Sequence, residues 1–146
     1  MEKKYKFTEE TIDVNGRTLC RIEALRDFGD VKKGDKGGFI EKEDNLSQSY
    51  DCWVYGKAVV CDDAIVSDNA TVYGNVKIYD KAKVCDNAVV FGNAVICDNV
   101  RVFGDARIYD NVKVYGDAIV CGDAVVCGYA IVSEYAEVCG NMKICN

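Results

Sequence analysis

Five side chains in the middle of the sequence carry the means to hold an anion beside a flat ring: Lys83, Arg101, Phe103, Arg107 and Tyr109. Arginine presents a planar fork of donors matched to phosphate, lysine a compact cation, and an aromatic face accepts a base by stacking. The plainer reading is that lysine and arginine keep a strand surface soluble, and both readings stay open at this point. The residue types that are missing narrow the chemistry further. There is no histidine among the 146 residues, so the side chain that most often serves as general base is absent. A carboxylate can replace it only where burial raises its pKa, and the acids here fall in turns. The nine cysteines form no C-x-x-C pair, and no His-paired thiolate is available as nucleophile. They read as small apolar fillers, with no metal and no cofactor expected. The run Lys32-Lys33-Gly34-Asp35-Lys36-Gly37-Gly38 has the wrong spacing for a phosphate loop and no helix signal after it. We therefore expect a binding or scaffolding protein and not an enzyme.

The elements that position these residues follow from a period of six. From Val54 to Ile144 a branched aliphatic recurs at every sixth residue without a miss, sixteen times in strict register. Four residues after each stands a small or modest apolar residue, as in Ala58, Ala64, Ala70 and Val76, with Gly, Asp or Asn between, as in Gly74-Asn75 and Asp86-Asn87. A triplet such as Lys-Val-Tyr alternates sides and reads as a short strand, while Gly, Asn and Asp tolerate left-handed backbone and turn the chain. One strand and one corner take six residues, three such units close a triangle, and coils of ~18 residues stack at ~4.8 Å, giving about five coils. Residues eighteen apart then lie one above another. Lys83 stands over Arg101, with Phe103 on the same face, while Arg107 and Tyr109 occupy the next. Cys121 stacks on Cys139 and Cys127 on Cys145.

This aliphatic, turn and small-residue pattern resembles the left-handed parallel β-helix, or hexapeptide-repeat, superfamily over about two-thirds of the chain. The resemblance implies an all-β, left-handed parallel β-helix. The many acyltransferases of that superfamily use a histidine base, which this chain lacks, and its zinc enzymes need histidine ligands. The chain also departs from the pattern by placing Tyr, Phe or Cys after most inward aliphatics. The lead-in from Arg21 to Val31, followed by Gly37-Gly38-Phe39 and Asn45-Leu46-Ser47, resembles that of hexapeptide-repeat proteins carried by bacteriophages and prophages.

The first part of the chain lacks the period. Residues 1–44 are read as a hairpin and loop that cap the helix, and residues 45–146 as the helix itself. Asn15-Gly16 sits between alternating strands as a type I′ turn, and Asp27 to Glu41 reads as a loop. The cap would cover strand edges that otherwise recruit other chains. The start is charged, with no apolar leader, and no apolar run reaches eighteen residues, so a cytoplasmic protein with reduced thiols is expected and no membrane partner. The net charge of -6 disfavours nucleic acid. Tyr55, Tyr73, Phe91 and Tyr109 fall in one column and are read as the interface of a homotrimer, or as a ladder that only stiffens its sheet. Function is read accordingly as a phage-type sponge: a protein that sequesters a small anionic ligand, such as a cyclic nucleotide, at Lys83, Arg101, Phe103, Arg107 and Tyr109 in clefts between trimer subunits. The alternatives are a purely structural oligomerising module and a histidine-less relative of the acyltransferases.

Overall fold

The computed structural model describes residues 2–146. Three strands come first, β1 (Tyr5–Val14), β2 (Arg17–Ala24) and β3 (Lys36–Ile40), followed by sixteen strands of two or three residues from β4 (Trp53–Val54) to β19 (Lys143–Cys145). Among the described residues no helix is long and apolar enough to cross a membrane. The short strands fall into three sheets, because each pairs in parallel with the strand eighteen residues on: Val59 with Lys77, Thr71 with Val89, Lys83 with Arg101. These are the three walls of a prism.

The wall we call the hairpin face runs β1-β2-β3-β5-β8-β11-β14-β17, with β5 at Val59–Val60, β8 at Lys77–Ile78, β11 at Val95–Ile96, β14 at Lys113–Val114 and β17 at Ile131–Val132. The aromatic face has six strands, among them β4, Thr71–Val72, Val89–Val90 and Arg107–Ile108. The cation face has five, from Ile65–Val66 to Glu137–Val138. The inward aliphatics Val60, Val66, Val72 and Ile78 are fully buried, as are Ala64, Ala70 and Val76 in the corners. The period of six is thus the alternation of a strand residue and a corner residue along one dry core.

Each corner needs one residue with left-handed backbone, and the sequence supplies Asp or Gly at all but two, Tyr50 and Glu134. Asp62, Asp80 and Asp98 have φ of 57°, 58° and 57°. Aspartate does more than tolerate the angle, because its Oδ2 accepts the backbone N–H of the equivalent residue one coil on: Asp62 from Asp80, Asp80 from Asp98, Asp98 from Gly116, at 3.1, 3.1 and 2.8 Å. Glycine enters where backbones crowd, and a Cβ on Gly104 would stand 2.8 Å from the Gly122 nitrogen.

The structure has about six turns, one more than the period alone suggests, because β3 is already the first strand of the prism. Phe39 pairs with Val59 and Ile40 with Val60, twenty residues apart. The stretch expected as a loop from Asp27 to Glu41 therefore ends in a strand. Gly37 permits it: a Cβ there would lie 2.6 Å from the Val54 carbonyl and 2.7 Å from the Trp53 ring. Leu46 bridges Val66, so the two extra residues of the first turn lie between Leu46 and Val54, at a corner where Tyr50 has φ 59°. Buried Lys4 fills that wider corner, its Nζ donating to the carbonyls of Ser49, Tyr50 and Cys52 at 3.4, 3.2 and 2.8 Å.

Asn15 and Gly16, at φ 50° and 81°, make the expected hairpin turn. β2 pairs antiparallel with β3, so the hairpin extends one face only. It also leans over that face. Leu19, with Ile12 and Val14 of the hairpin, packs on Phe39, Val59, Cys61 and Tyr79, a second apolar cluster outside the prism. The thiols differ from the expected reduced state at the opposite end. Cys121–Cys139 and Cys127–Cys145 are disulfides, with Cα atoms 4.6 and 4.5 Å apart. In-register stacking places their Cβ atoms side by side, which the spacing of eighteen anticipated, while the bond itself was not expected.

Candidate functional site

The residues singled out by type fall into two groups. Lys83 and Arg101 are in-register neighbours on the cation face, both exposed, and Phe103 follows on the same strand side, half-buried. Neither cation has a carboxylate within 4.0 Å among the described residues. Arg107 stands on the aromatic face between Val89 and Val125. Tyr109 stacks on Phe91, centroids 4.8 Å apart and planes 7° from parallel. Within one chain the two groups stay on different walls and do not converge.

Concavity is found elsewhere, on the hairpin face. Because the hairpin leans outward over coils that lie beyond its own pairing, it leaves a cleft of about 850 Å³ between its tip and the outer surface of β8, β11 and β14. The tip contributes Asp13, Val14, Asn15 and Arg17. The floor is two columns deep: Lys77, Val95 and Lys113 in one, Tyr79, Cys97 and Tyr115 in the other. None of the five residues read from the sequence lines it. The signal for it was nevertheless present. Lys-Ile-Tyr at 77–79 and Lys-Val-Tyr at 113–115 are thirty-six residues, or two coils, apart, and Ile12, Val14 and Leu19 needed an apolar partner. What the period could not show was that the hairpin covers this wall.

The charges of the cleft are distributed unevenly. Arg17 is engaged, with Nη1 to Glu41 and Nε to Asp62 at 2.9 Å each. Asp62 and Asp80 accept the backbone ladder hydrogen bonds described above, and Asp13 accepts from the Thr18 hydroxyl at 3.2 Å. Lys77 and Lys113 are exposed to the cleft and, among the described residues, face no carboxylate within 4.0 Å. The cleft therefore offers two uncommitted cations.

Its thiols are poor nucleophiles. Burial pushes Cys61 up to about 11, assisted by the carboxylates of Asp62 and Glu41. Burial also raises Cys97, although its hydrogen bond with Tyr79 works the other way. That same bond, with burial added, pushes the Tyr79 phenol up to about 12. Thiol and phenol are both protonated at neutral pH, and an activated thiolate needs the opposite surroundings. Two trios, Asp68, Cys85, Asp86 and Asp80, Cys97, Asp98, bring their ligand atoms within 4.8 Å. In each, the first aspartate already spends one oxygen on the backbone N–H of the second at 3.1 Å, and the thiol is raised by burial, so turn chemistry accounts for both.

A family model described as the YdcK beta solenoid repeat matches residues 82–98 and 106–122, two stretches in the middle coils. A protein of Escherichia coli (strain K12) named as an uncharacterized acetyltransferase, YdcK, is 33% identical over 66 residues, 40% of this chain. With the parallel solenoid in hand, these matches agree with the period. Together they support the hexapeptide-repeat, left-handed β-helix superfamily that the period resembles. The matched stretch spans about a fifth of that relative, 20% of its length. The repeat model matches coils of this hexapeptide-repeat protein and not its hairpin, so the element that closes the cleft lies outside the matched segments.

Proposed function

We propose that this chain is a non-enzymatic binding protein, which holds a small anionic, nucleotide-like molecule in the hairpin-face cleft and so sequesters it. The observation that carries this reading is the pair Lys77 and Lys113, two cations lining one cleft, neither of them within 4.0 Å of a carboxylate among the described residues although Asp13, Asp62 and Asp80 line the cleft too. Like charges in one cleft repel, and an anion bound between them relieves that repulsion. A catalytic reading lacks parts, because there is no imidazole and the thiols are held protonated. The name of the YdcK relative gives the alternative, a histidine-less acetyltransferase.

The unpaired Lys83–Arg101 stack supports a second site. In a homotrimer associated along the aromatic face, Arg107 and Tyr109 of one copy would approach the cation face of the next and complete the set Lys83, Arg101, Phe103, Arg107 and Tyr109. Light scattering at three times the 16.1 kDa chain mass is the expected result for this arrangement, and a monomer removes it.

A ligand that binds only the folded state must raise the melting temperature. At modest salt, which limits screening, mono- and cyclic dinucleotides should stabilise the protein. Lys77→Ala with Lys113→Ala should remove the shift, while Lys83→Ala with Arg101→Ala should leave it if the cleft is the site. Acetyl-CoA with an amino-sugar acceptor should give no turnover. A panel without any shift overturns the binding reading, and turnover lost in the Lys77/Lys113 double variant overturns the non-enzymatic one.

A further inference from the structure

The aromatic face shows what a fully occupied outer column looks like. Tyr73, Phe91 and Tyr109 place one ring on each coil, with centroids 4.8 Å apart at both steps and planes 1° and 7° from parallel. The corresponding column of the hairpin face is Tyr79, Cys97, Tyr115, in the same register along β8, β11 and β14. The outer rings are there and the middle one is not, since a thiol stands where the ladder would carry its second ring.

Two strand steps separate the residues that carry Tyr79 and Tyr115, about 9.6 Å. A flat ring entering midway would stand ~4.8 Å from each neighbour if they took the ladder geometry, within the range in which aromatic pairs attract. Below it are Cys97 and Val95, both half-buried and uncharged at neutral pH. Beside it, two residues earlier on the same strands as the tyrosines, stand Lys77 and Lys113. Tyr79 lies close enough to the Cys97 sulfur for each to shift the other's titration, so without a ring between them the upper tyrosine leans toward the thiol.

We infer that the cleft is a seat for one planar aromatic ring bearing a phosphate, the ring lying over Cys97 between Tyr79 and Tyr115 and the phosphate meeting Lys77 and Lys113. This rests on the proposed function above and narrows it from small anions in general to aromatic phosphates. The ring displaces the contact of Tyr79 with the thiol and restores on this face the ladder that the aromatic face carries by itself. The same geometry excludes an extended polyanion as the best ligand, because its affinity would come from the lysines alone.

Calorimetric titration with phenyl phosphate, adenosine 5′-monophosphate and inorganic phosphate separates the two claims. The ring-bearing probes should bind about tenfold more tightly than inorganic phosphate, the ratio that one stacked ring provides. Cys97→Phe fills the gap with a protein ring. It should abolish that preference while inorganic phosphate still binds, and circular dichroism should show the native fold. Cys97→Ser leaves the gap open and should keep the preference, and Tyr115→Ala removes a wall and should reduce it about fivefold. In the NMR spectrum the Val95 methyl signals should move upfield with phenyl phosphate and not with phosphate. Equal affinities for all three probes, or a preference that survives Cys97→Phe, overturn the ring seat and leave the anion site standing. Absence of binding by every probe overturns both.

Discussion

The aromatic face and the hairpin face are made by the same repeat, with the same inward aliphatics and the same corners, yet they end as different surfaces. On the first, one outward column carries Tyr73, Phe91 and Tyr109 in continuous stacking. On the second, aromatic and thiol alternate, Tyr79, Cys97, Tyr115, and cation and aliphatic alternate beside them, Lys77, Val95, Lys113. The period decides what points inward and leaves every outward column free. A solenoid can therefore carry a closed stack and an open seat on adjacent walls at no cost to its core.

The faces also differ in how their ends are secured. The hairpin covers the first strands of its own face. At the far end Cys127–Cys145 joins the last two strands of the aromatic face, and Cys121–Cys139 joins the last two coils of the cation face. The last strand of the hairpin face, Ile131–Val132, carries no such bond, and Ile131 is 62% exposed. Removing both disulfides with Cys139→Ser and Cys145→Ser is expected to have the largest effect in urea unfolding, a loss of about 3 kcal/mol for the first bond, the order for one closed loop of this length, and less for the second because the two loops overlap. Hydrogen exchange should then accelerate first over residues 131–146, and the first coils should keep their protection. An unchanged midpoint would show that stacking alone holds the last coil.

The second change makes the closed stack resemble the open seat. Phe91→Cys removes the middle ring of the aromatic ladder and should cost about 1–2 kcal/mol, from lost stacking and partly lost burial. If rings prefer an occupied neighbour, phenyl phosphate should recover part of this loss. It should do so more weakly than at the cleft, because the neighbouring column offers Thr71, Val89 and Arg107 and a single cation.

Most of the prism was legible because one rule, a small residue and an aliphatic at fixed offsets, is enforced by a core that has no room for exceptions. The stacking of Lys83 on Arg101, the hairpin turn at Asn15-Gly16 and the vertical pairing of the last four cysteines all follow from counting by eighteen. The cleft does not, because it depends on where an aperiodic hairpin leans. That is set by a handful of contacts of Leu19, Ile12 and Val14 with Val59, Cys61 and Tyr79, which no period encodes. Lys4 was hidden for the same reason. Its partners are backbone carbonyls of a corner two residues longer than the rest, and nothing in a lysine near the start of a chain announces that it is buried. Of the cations chosen from the sequence, Lys83 and Arg101 are adjacent in register, and Arg107 stands between two valines on another wall. The cations that line a cavity, Lys77 and Lys113, are two coils apart, with an aliphatic between them.

The smallest expected effect is the share of an alkaline pH dependence of stability that the hairpin face contributes, beside buried groups elsewhere such as Cys52 and Cys85. Cys61 is raised from 9.0 to about 11, chiefly by burial under the hairpin. Tyr79 is raised from 10.0 to about 12, chiefly by its bond with Cys97. In each case the folded protein keeps a proton that the unfolded chain releases, so between pH 9 and pH 12 the native state binds more protons and stability falls as pH rises. The stabilising contribution is whole below pH 9.0 and is lost through the folded values. Lys4 acts in the opposite sense, because burial lowers it from 10.5 and stability gained there rises with pH up to that value. Comparison with the double variant Cys61→Ser, Tyr79→Phe cancels the Lys4 contribution, which both proteins share. The native chain should lose more melting temperature than the variant between pH 8.5 and pH 11, by a few degrees for each kcal/mol. Tyr79→Phe also removes the hydroxyl that leans on Cys97, so in the variant the seat should be open without ligand, and phenyl phosphate should bind to it at least as tightly as to the native protein.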